Sequence, residues 1–182
     1  METERLIFRQ RTKQVQDELL NLPIKEQVVF LGLESVEQLN AELIRSNKRL
    51  NNLEMKWLKW ELIEKDSQKI IGSCGFHNWY EGHERAEIGY FLNVNFRGSG
   101  FMSEALKCVI KYGFRVMKLN RIEAFISPSN LPSIKIIENL GFTQEGILKE
   151  HYKENNEILD SVVYSLLKSK WKPLPNRVGC RG

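Results

Sequence analysis

The feature that most restricts the fold is a glycine-rich turn between a strand pattern and a helix pattern. The stretch NFRGSGFMSEAL, residues 95–106, follows an alternating apolar segment and opens a segment whose apolar residues recur at spacings of three and four. Such a turn exposes unpaired backbone N–H groups, and the helix dipole makes that end attractive to anions. The turn therefore predicts either an anion site or a connection that simply needs glycine for its geometry.

The length and composition fit one soluble domain. The chain has 182 residues, of which 42% are hydrophobic and 27% charged, with a formal net charge of +4. This mild positive charge suits an anionic small ligand as well as RNA, so it does not select a partner. We expect a single domain over 1–172 and a loose tail over 173–182. Because the first residues do not resemble a signal peptide and no apolar run is long enough to cross a membrane, we expect a cytoplasmic protein.

The cysteines predict neither a disulfide framework nor a metal site. Cys74, Cys108 and Cys180 are an odd, widely spaced set without a CxxC pair. That pattern argues against both structural disulfides and zinc. We expect Cys74 and Cys108 to be small core residues, in a chain that binds no metal.

The order of the predicted elements indicates an α/β fold. Strands are predicted at residues 4–10, 55–65, 68–78, 85–94, 121–127, 143–152 and 157–167, and helices at 13–33 with a break at Pro23, 35–48, 102–114 and 131–140. An antiparallel meander here gives way to one strand-helix-strand unit, so the sheet should be mixed and mostly antiparallel, with helices on both faces. The glycine turn lies at the carboxyl end of a strand, where ligands of open α/β sheets gather.

Four further segments accompany the turn. AEIGYFL (86–92) precedes it and SEAL (103–106) follows it, while SPSNLPSIKIIENLGF (127–142) and EGILKEHYKENNEILDSVVYSLL (145–167) lie downstream. In this order, the motifs resemble those of the GCN5-related N-acetyltransferase (GNAT) family, in particular the bacterial group that acetylates the α-amino termini of ribosomal proteins. The resemblance covers nearly the whole chain and implies the GNAT fold, with about seven strands.

The resemblance implies that acetyl-CoA is the co-substrate. Its pyrophosphate would lie on the amides of residues 97–102, and the strand before the turn would splay from its parallel neighbour to admit the pantetheine arm. The implied cofactor-binding residues are Phe91, Leu92, Asn93, Arg97, Gly98, Ser99, Gly100, Phe101, Met102, Ser103, Asn130 and Ser133. Met102 departs from the Gly or Ala usual at the end of the family signature, and Asn130 is equally well suited to cap a helix.

The implied reaction is direct transfer of acetyl to a primary amine, which requires a proton acceptor. Glu87 is the carboxylate that the resemblance places best, although a strand-face glutamate paired with a lysine is an equal alternative. Ser133 would lie near the sulfur. Tyr152, with His151 beside it, occupies a position where some relatives carry an acid-base residue. The two other histidines, His77 and His83, are expected to lie on the surface.

The acceptor is the least determined partner. The resemblance favours a protein N-terminus, and it leaves open a small-molecule amine such as a polyamine, an amino acid or an antibiotic. A binding module that senses acyl-CoA without turnover is a further alternative. We expect no direct contact with nucleic acid or membrane, and a homodimer is left open.

Overall fold

The computed structural model describes residues 1–50, 56–154, 157–173 and 180. Within these ranges the chain forms seven strands and five α-helices. The strands are β1 (Leu6–Gln10), β2 (Lys56–Glu64), β3 (Ile70–Tyr80), β4 (Arg85–Leu92), β5 (Arg121–Ile126), β6 (Thr143–Glu154) and β7 (Glu157–Leu167). The helices are α1 (Lys13–Leu20), α2 (Ile24–Phe30), α3 (Val36–Leu50), α4 (Phe101–Arg115) and α5 (Leu131–Asn139). Met55, predicted to begin the second strand, lies outside the described residues.

All seven strands belong to one sheet in the order β1-β2-β3-β4-β5-β7-β6. Neighbouring strands run antiparallel except β4 and β5, which are parallel. A parallel pair requires a crossover, and α4 provides it. The predicted mixed, mostly antiparallel sheet is therefore confirmed.

The parallel pair separates partway along its length. Hydrogen-bonded pairing between β4 and β5 covers only residues 85–87 against 121–123, although β4 continues to Leu92 and β5 to Ile126. Beyond that point β4 remains paired with β3, and β5 remains paired with β7. We call the resulting gap the fork. The splay that the resemblance implied is thus present in the chain.

Helices cover both faces of the sheet. One face carries the main core, in which Ala105, Leu106 and Val109 of α4 and Ile137 of α5 are fully buried. The other face lies against α1–α3, which enclose a smaller cluster of Leu19, Leu31 and Leu39. Because successive side chains of a strand alternate between faces, each strand contributes to both surfaces. The prediction of helices on both faces is confirmed.

One expectation about the cysteines is wrong. Cys108, buried in α4, forms a disulfide with Cys180, and their Cα atoms are 5.6 Å apart. The two residues are 72 positions apart, so local spacing could not reveal that the chain returns to α4. Cys74 is a free and buried thiol whose pKa is raised by burial, as expected of a small core residue. Of the predicted loose tail, residues 174–179 and 181–182 lie outside the described residues.

Within the described ranges, no helix combines the length and the apolar character that a membrane crossing requires.

Candidate active site

The predicted glycine turn requires its glycines. Gly98 and Gly100 have φ angles of +79° and +81°, a left-handed conformation that other residues rarely adopt. Gly100 also caps α4 without a side-chain hydrogen bond, so the first N–H groups of the helix have no side-chain cap. Apart from Gly98 itself and its two chain neighbours, no residue of the described chain has an atom within 4 Å of a Cβ position built at Gly98. The turn therefore presents open backbone at a helix N-terminus.

Two arginines hold the turn in place. Arg97 donates from Nε to the carbonyl oxygen of Leu92 at 3.0 Å, which ties the turn to the end of β4. Arg5 donates to the carbonyl oxygen of Ser99 at 2.9 Å and forms an ion pair with Glu104 at 2.7 Å. Burial opposes ionisation of Glu104, but hydrogen bonds and the charge of Arg5 lower its pKa below the ordinary value. No local sequence pattern connects Arg5 with Glu104, because 99 residues separate them.

The side chains that follow the turn point into the core. Phe101 and Met102 are 7% and 4% exposed, and both belong to the main core cluster. Only their main chain is therefore available to a ligand at this surface, as the predicted role requires. Because the Met102 side chain is buried in the core, its departure from the signature that the chain resembles does not obstruct the backbone of the turn.

The end of β4 borders the fork. Asn93 is already engaged, because its Oδ1 accepts from the Asn95 N–H at 3.0 Å and its Nδ2 donates to the Gly32 carbonyl at 3.2 Å. Phe91 is 37% exposed and faces a cavity on the α1–α3 side. The main-chain contacts predicted for Phe91, Leu92 and Asn93 remain predictions.

On the α4–α5 face, the start of α5 lies next to β4. Asn130 caps α5 by accepting from the Ser133 N–H at 3.2 Å, which confirms the capping interpretation. The Ser133 hydroxyl lies 2.5 Å from the Tyr90 hydroxyl, and burial raises the pKa of that phenol. The alternation of AEIGYFL places Tyr90 on the same face of the strand as Ala86. That alternation is the only local sequence pattern that indicates which face Tyr90 occupies. The two hydroxyls form a pair beside the fork.

On the opposite face, Glu87 is part of a cross-strand cluster. Its Oε1 lies 2.9 Å from His77 Nε2, and its Oε2 accepts from Asn78 Nδ2 at 2.8 Å. The Glu87 and His77 side chains are 16% and 20% exposed. The expectation that His77 is a surface residue is wrong, because β3 pairs with β4 in a register that places it opposite Glu87. His83 is exposed, as predicted.

A cleft runs over β2, β3 and β4 beneath α3. It consists of two adjoining cavities of about 380 Å³ and 210 Å³ that share Glu42, Lys59, Ser73 and Phe91 as lining residues. The larger cavity extends toward Leu31 and the smaller toward His77. We call this space the sheet cleft.

The wall of the sheet cleft carries an ion-pair network. Glu42 lies 2.7 Å from Arg11 Nη1 and also contacts Lys59, while Glu61 pairs with Arg9. Burial alone would raise the pKa of Glu42, but Lys59 and Arg11 together lower it to about 2. Within the described chain, Arg11 Nε and Nη2 have no hydrogen-bond partner, although the Arg11 side chain is only 1% exposed. Glu42 and Glu61 are thus neutralised by basic side chains, whereas Glu37, which also lines the larger cavity, is exposed.

Tyr152 and His151 lie on β6, the edge strand beyond β7. Tyr152 is paired with Leu159, and His151 Nδ1 lies 2.9 Å from the Ser161 hydroxyl. In the part of the chain that the structure describes, neither residue hydrogen bonds to Glu87 or Ser133. An acid-base role for Tyr152 remains a prediction.

A second glutamate lies at the vertex of the fork. Glu123 of β5 is beside Glu87 in the parallel pairing, and it accepts hydrogen bonds from Arg85 at 2.7 Å and Arg121 at 2.8 Å.

Among the described residues, no three His, Cys, Asp or Glu side chains are grouped to hold a metal ion.

Comparison with known proteins is consistent with this geometry. The family model described as "Acetyltransferase (GNAT) domain" matches residues 5–143. The uncharacterized N-acetyltransferase YoaA of Bacillus subtilis is 32% identical over 173 residues, which are 93% of this chain and 97% of that protein. The [ribosomal protein uS5]-alanine N-acetyltransferase of Escherichia coli is 33% identical over 113 residues, 62% of this chain and 58% of that protein. A GNAT-family acetyltransferase structure from Bacillus anthracis superposes with a TM-score of 0.66 at 27% identity, covering 93% of this chain and 98% of that one.

Proposed function

We propose that this chain, which belongs to the GNAT acetyltransferase family, transfers acetyl from acetyl-CoA directly to a primary amine at the fork. The observation that carries this proposal is the separation of β4 from β5 beside an uncapped, glycine-lined helix start. The family uses acetyl-CoA as co-substrate, and the proposal concerns where this chain binds it and which amine it acetylates.

The residues of the glycine turn fit the phosphates of CoA. Open backbone at Gly98 and Gly100 allows an anion to approach the main chain, and the dipole of α4 favours negative charge there. Arg97 keeps guanidinium N–H groups beyond the one that bonds Leu92, so it is suited to a charge-assisted contact. Bound acetyl-CoA would supply an acetyl group activated as a thioester. The residues proposed to hold it are the main chain of residues 91–93 and 97–103, together with Asn130 and Ser133.

The two faces of β4 provide complementary groups. On the α4–α5 face, the hydroxyl pair of Tyr90 and Ser133 can donate a hydrogen bond toward a developing thiolate. On the other face, Glu87 and His77 form a polar pair suited to proton transfer. The fork joins the two faces, so an amine approaching from the sheet cleft and a thioester held beside α4 would meet there.

The charges of the sheet cleft favour the N-terminal α-amine of a protein over a polyamine. A polyamine carries several ammonium groups and would need several unpaired carboxylates. Of the three described carboxylates that line the larger cavity, Glu42 and Glu61 are paired with Arg11, Lys59 and Arg9, which leaves Glu37 alone for such a ligand. A peptide has one α-amine followed by uncharged amide groups, so beyond its α-amine it needs no carboxylate partner in the cleft. The similarity to an acetyltransferase named for the alanine of ribosomal protein uS5 supports the same choice, and a ribosomal protein is the acceptor we propose.

Calorimetry with acetyl-CoA, followed by a thiol-release assay, tests the proposal. Three acceptors separate the alternatives: a peptide that begins with alanine, the same peptide with a blocked N-terminus and an internal lysine, and spermidine. We expect kcat/KM for the free α-amine to exceed that of the others by at least about tenfold, equivalent to about 1.4 kcal/mol.

The other outcomes each point to a defined alternative. Preferred turnover of spermidine would replace the protein acceptor with a small-molecule amine. Tight binding of acetyl-CoA without thiol release from any acceptor would indicate a sensor. If acetyl-CoA did not bind, the glycine turn would have only a structural role.

A further inference from the structure

We infer that His77 takes the proton from the acceptor amine and that Glu87 is its positioning residue. The inference rests on the proposed function and deepens it, because it assigns the proton acceptor to a side chain expected to lie on the surface. Three observations carry it: the hydrogen bonds of Glu87, the position of the His77 ring over Gly89, and the lining of the cleft.

Both carboxylate oxygens of Glu87 are already engaged. Oε2 accepts a hydrogen bond from Asn78, and Oε1 lies 2.9 Å from His77 Nε2. A neutral imidazole carries its hydrogen on one ring nitrogen, and a carboxylate can only accept. The contact with Glu87 therefore places the hydrogen on Nε2 and leaves a lone pair on Nδ1. A carboxylate that orients a histidine in this way also stabilises the imidazolium formed by proton transfer.

The free edge of the imidazole lies over Gly89. A Cβ atom built at Gly89 would lie 2.8 Å from His77 Cε1 and 3.1 Å from Nδ1, so any larger residue would displace the ring. Gly89 stands two residues before Phe91 on β4, and their side-chain positions share one face of the strand. The edge that bears the Nδ1 lone pair thus lies along β4 near the open part of the fork.

His77 also has access to the cleft. His77, Gly89 and Phe91 line the cavity of about 210 Å³, whereas Glu87 is not among the described residues that line it. An amine that enters this space would meet the imidazole before the carboxylate. Geometry therefore favours His77 as the group in contact with the acceptor.

The transfer balances with His77 as base. The lone pair of the amine forms the N–C bond to the acetyl carbon, and the C–S bond breaks with its electron pair on sulfur. One proton leaves the amine nitrogen for His77 Nδ1, so the products are an amide, a thiolate and an imidazolium paired with Glu87. The imidazolium then releases its proton to solvent for the next turnover.

Other charged groups face the same space. Glu87 faces His77 from β4, Lys59 lines the cleft from β2, and Glu42 lines it from α3. The α-amine of the acceptor itself titrates near pH ~8. A pH profile of the wild type therefore contains several contributions, and the test must compare variants.

The kinetic test compares His77→Gln with Glu87→Gln, and His83→Gln serves as the matched control. We expect His77→Gln to lower kcat by about 10²–10⁴-fold, the usual range for a lost acid-base group, with acetyl-CoA affinity unchanged. Glu87→Gln should lower kcat less, and the control should leave it within about twofold of wild type. Compared with the wild type, the pH dependence of kcat/KM in His77→Gln should lose the contribution of His77 and keep the limb that follows the acceptor amine. A larger loss in Glu87→Gln than in His77→Gln would overturn the inference and make Glu87 the base.

Rescue distinguishes catalysis from structure. Adding imidazole to His77→Ala should raise the rate at least about tenfold, because the space over Gly89 can admit the imidazole ring. If a folded His77→Ala variant that binds acetyl-CoA were not rescued, the assignment of His77 as the base would be overturned.

A measurement without turnover separates this inference from the proposed function. A long-range ¹H–¹⁵N correlation spectrum of the wild type should show neutral His77 as the Nε2–H tautomer, and the Nδ1–H tautomer would overturn the inference whatever the activity. A wild type that has the expected tautomer but acetylates no amine would overturn the proposed function, and the base role with it. Full activity without His77 would overturn the inference alone.

Discussion

Replacing Glu42 with glutamine should destabilise the protein most strongly near neutral pH. Glu42 lies between Arg11 and Lys59 in the wall of the sheet cleft, and the Arg11 side chain is only 1% exposed. Glutamine has a similar shape but no charge, so the substitution leaves a buried guanidinium without its closest counter-ion. Breaking a buried ion pair by removing one partner typically costs about 3–5 kcal/mol.

The size of the effect follows from the pKa of Glu42. Folding lowers this pKa from 4.5 to about 2, so the folded state favours the charged form. The contribution to stability is complete above the unfolded pKa and is lost as the pH falls through the folded one. This lowering of the Glu42 pKa corresponds to about 3 kcal/mol of stability at pH 7, of which about 1 kcal/mol remains at pH 3.

Urea denaturation of wild type and Glu42→Gln at pH 7 and pH 3 measures this effect. The free energy of unfolding should differ by about 3 kcal/mol at the higher pH and about 1 kcal/mol at the lower. Glu37→Gln is the matched control, because Glu37 lines the same cleft from α3 but is exposed, and its loss should matter little. A difference between wild type and Glu42→Gln that is independent of pH would refute the assignment of the pKa to this ion-pair network.

Three further perturbations address the rest of the chain. Arg97→Glu should weaken acetyl-CoA binding in calorimetry by about tenfold or more, whereas Arg115→Glu at the other end of α4 should not; equal affinities would remove Arg97 from the site. Gly100 has a φ of +81°, so Gly100→Ala should lower the free energy of unfolding by about 1 kcal/mol and should also weaken acetyl-CoA binding. Gly82→Ala is the control, and it should change neither quantity. A reducing agent should lower the Tm of the wild type, because the disulfide contributes about 2–4 kcal/mol to the free energy of unfolding. The same agent should leave the Tm of Cys180→Ser unchanged. A wild-type Tm that is insensitive to reduction would argue against the bond.

The sequence predicted those parts of the fold that depend on local pattern. Period-two segments became strands, and Pro23 separates α1 from α2 as expected. The glycine turn was predictable because its need for left-handed backbone is a property of Gly98 and Gly100 themselves. The element order was then enough to predict a mixed sheet with helices on both faces.

Contacts between distant segments were not predictable in the same way. The pairing of His77 with Glu87 depends on the register of β3 against β4, and an irregularity between His77 and Tyr80 shifts that register. Alternation within AEIGYFL predicts which face of the strand carries Glu87, but it does not identify the residue that Glu87 contacts. The Cys108–Cys180 bond spans 72 residues, and no local pattern encodes it.

In the candidate site, too, local pattern predicted some features, whereas contacts between distant segments depended on the folded chain. Asn130 was predicted as a cap from its position before an apolar helix, and it caps α5. Arg5 contacts the turn from the first strand region, 94 residues before Ser99, so its role depended on the folded chain. Only the packing of α5 against β4 brings the hydroxyl of Tyr90 to Ser133.

The proposed function is tested most directly by finding where an acetyl group is attached after turnover. A peptide with a free N-terminal alanine and one internal lysine is incubated with the protein and acetyl-CoA, and fragmentation mass spectrometry locates the modification. The proposed function predicts acetylation of the α-amine by the wild type and loss of that product in Arg97→Glu. An unmodified peptide under conditions where acetyl-CoA is bound would contradict it.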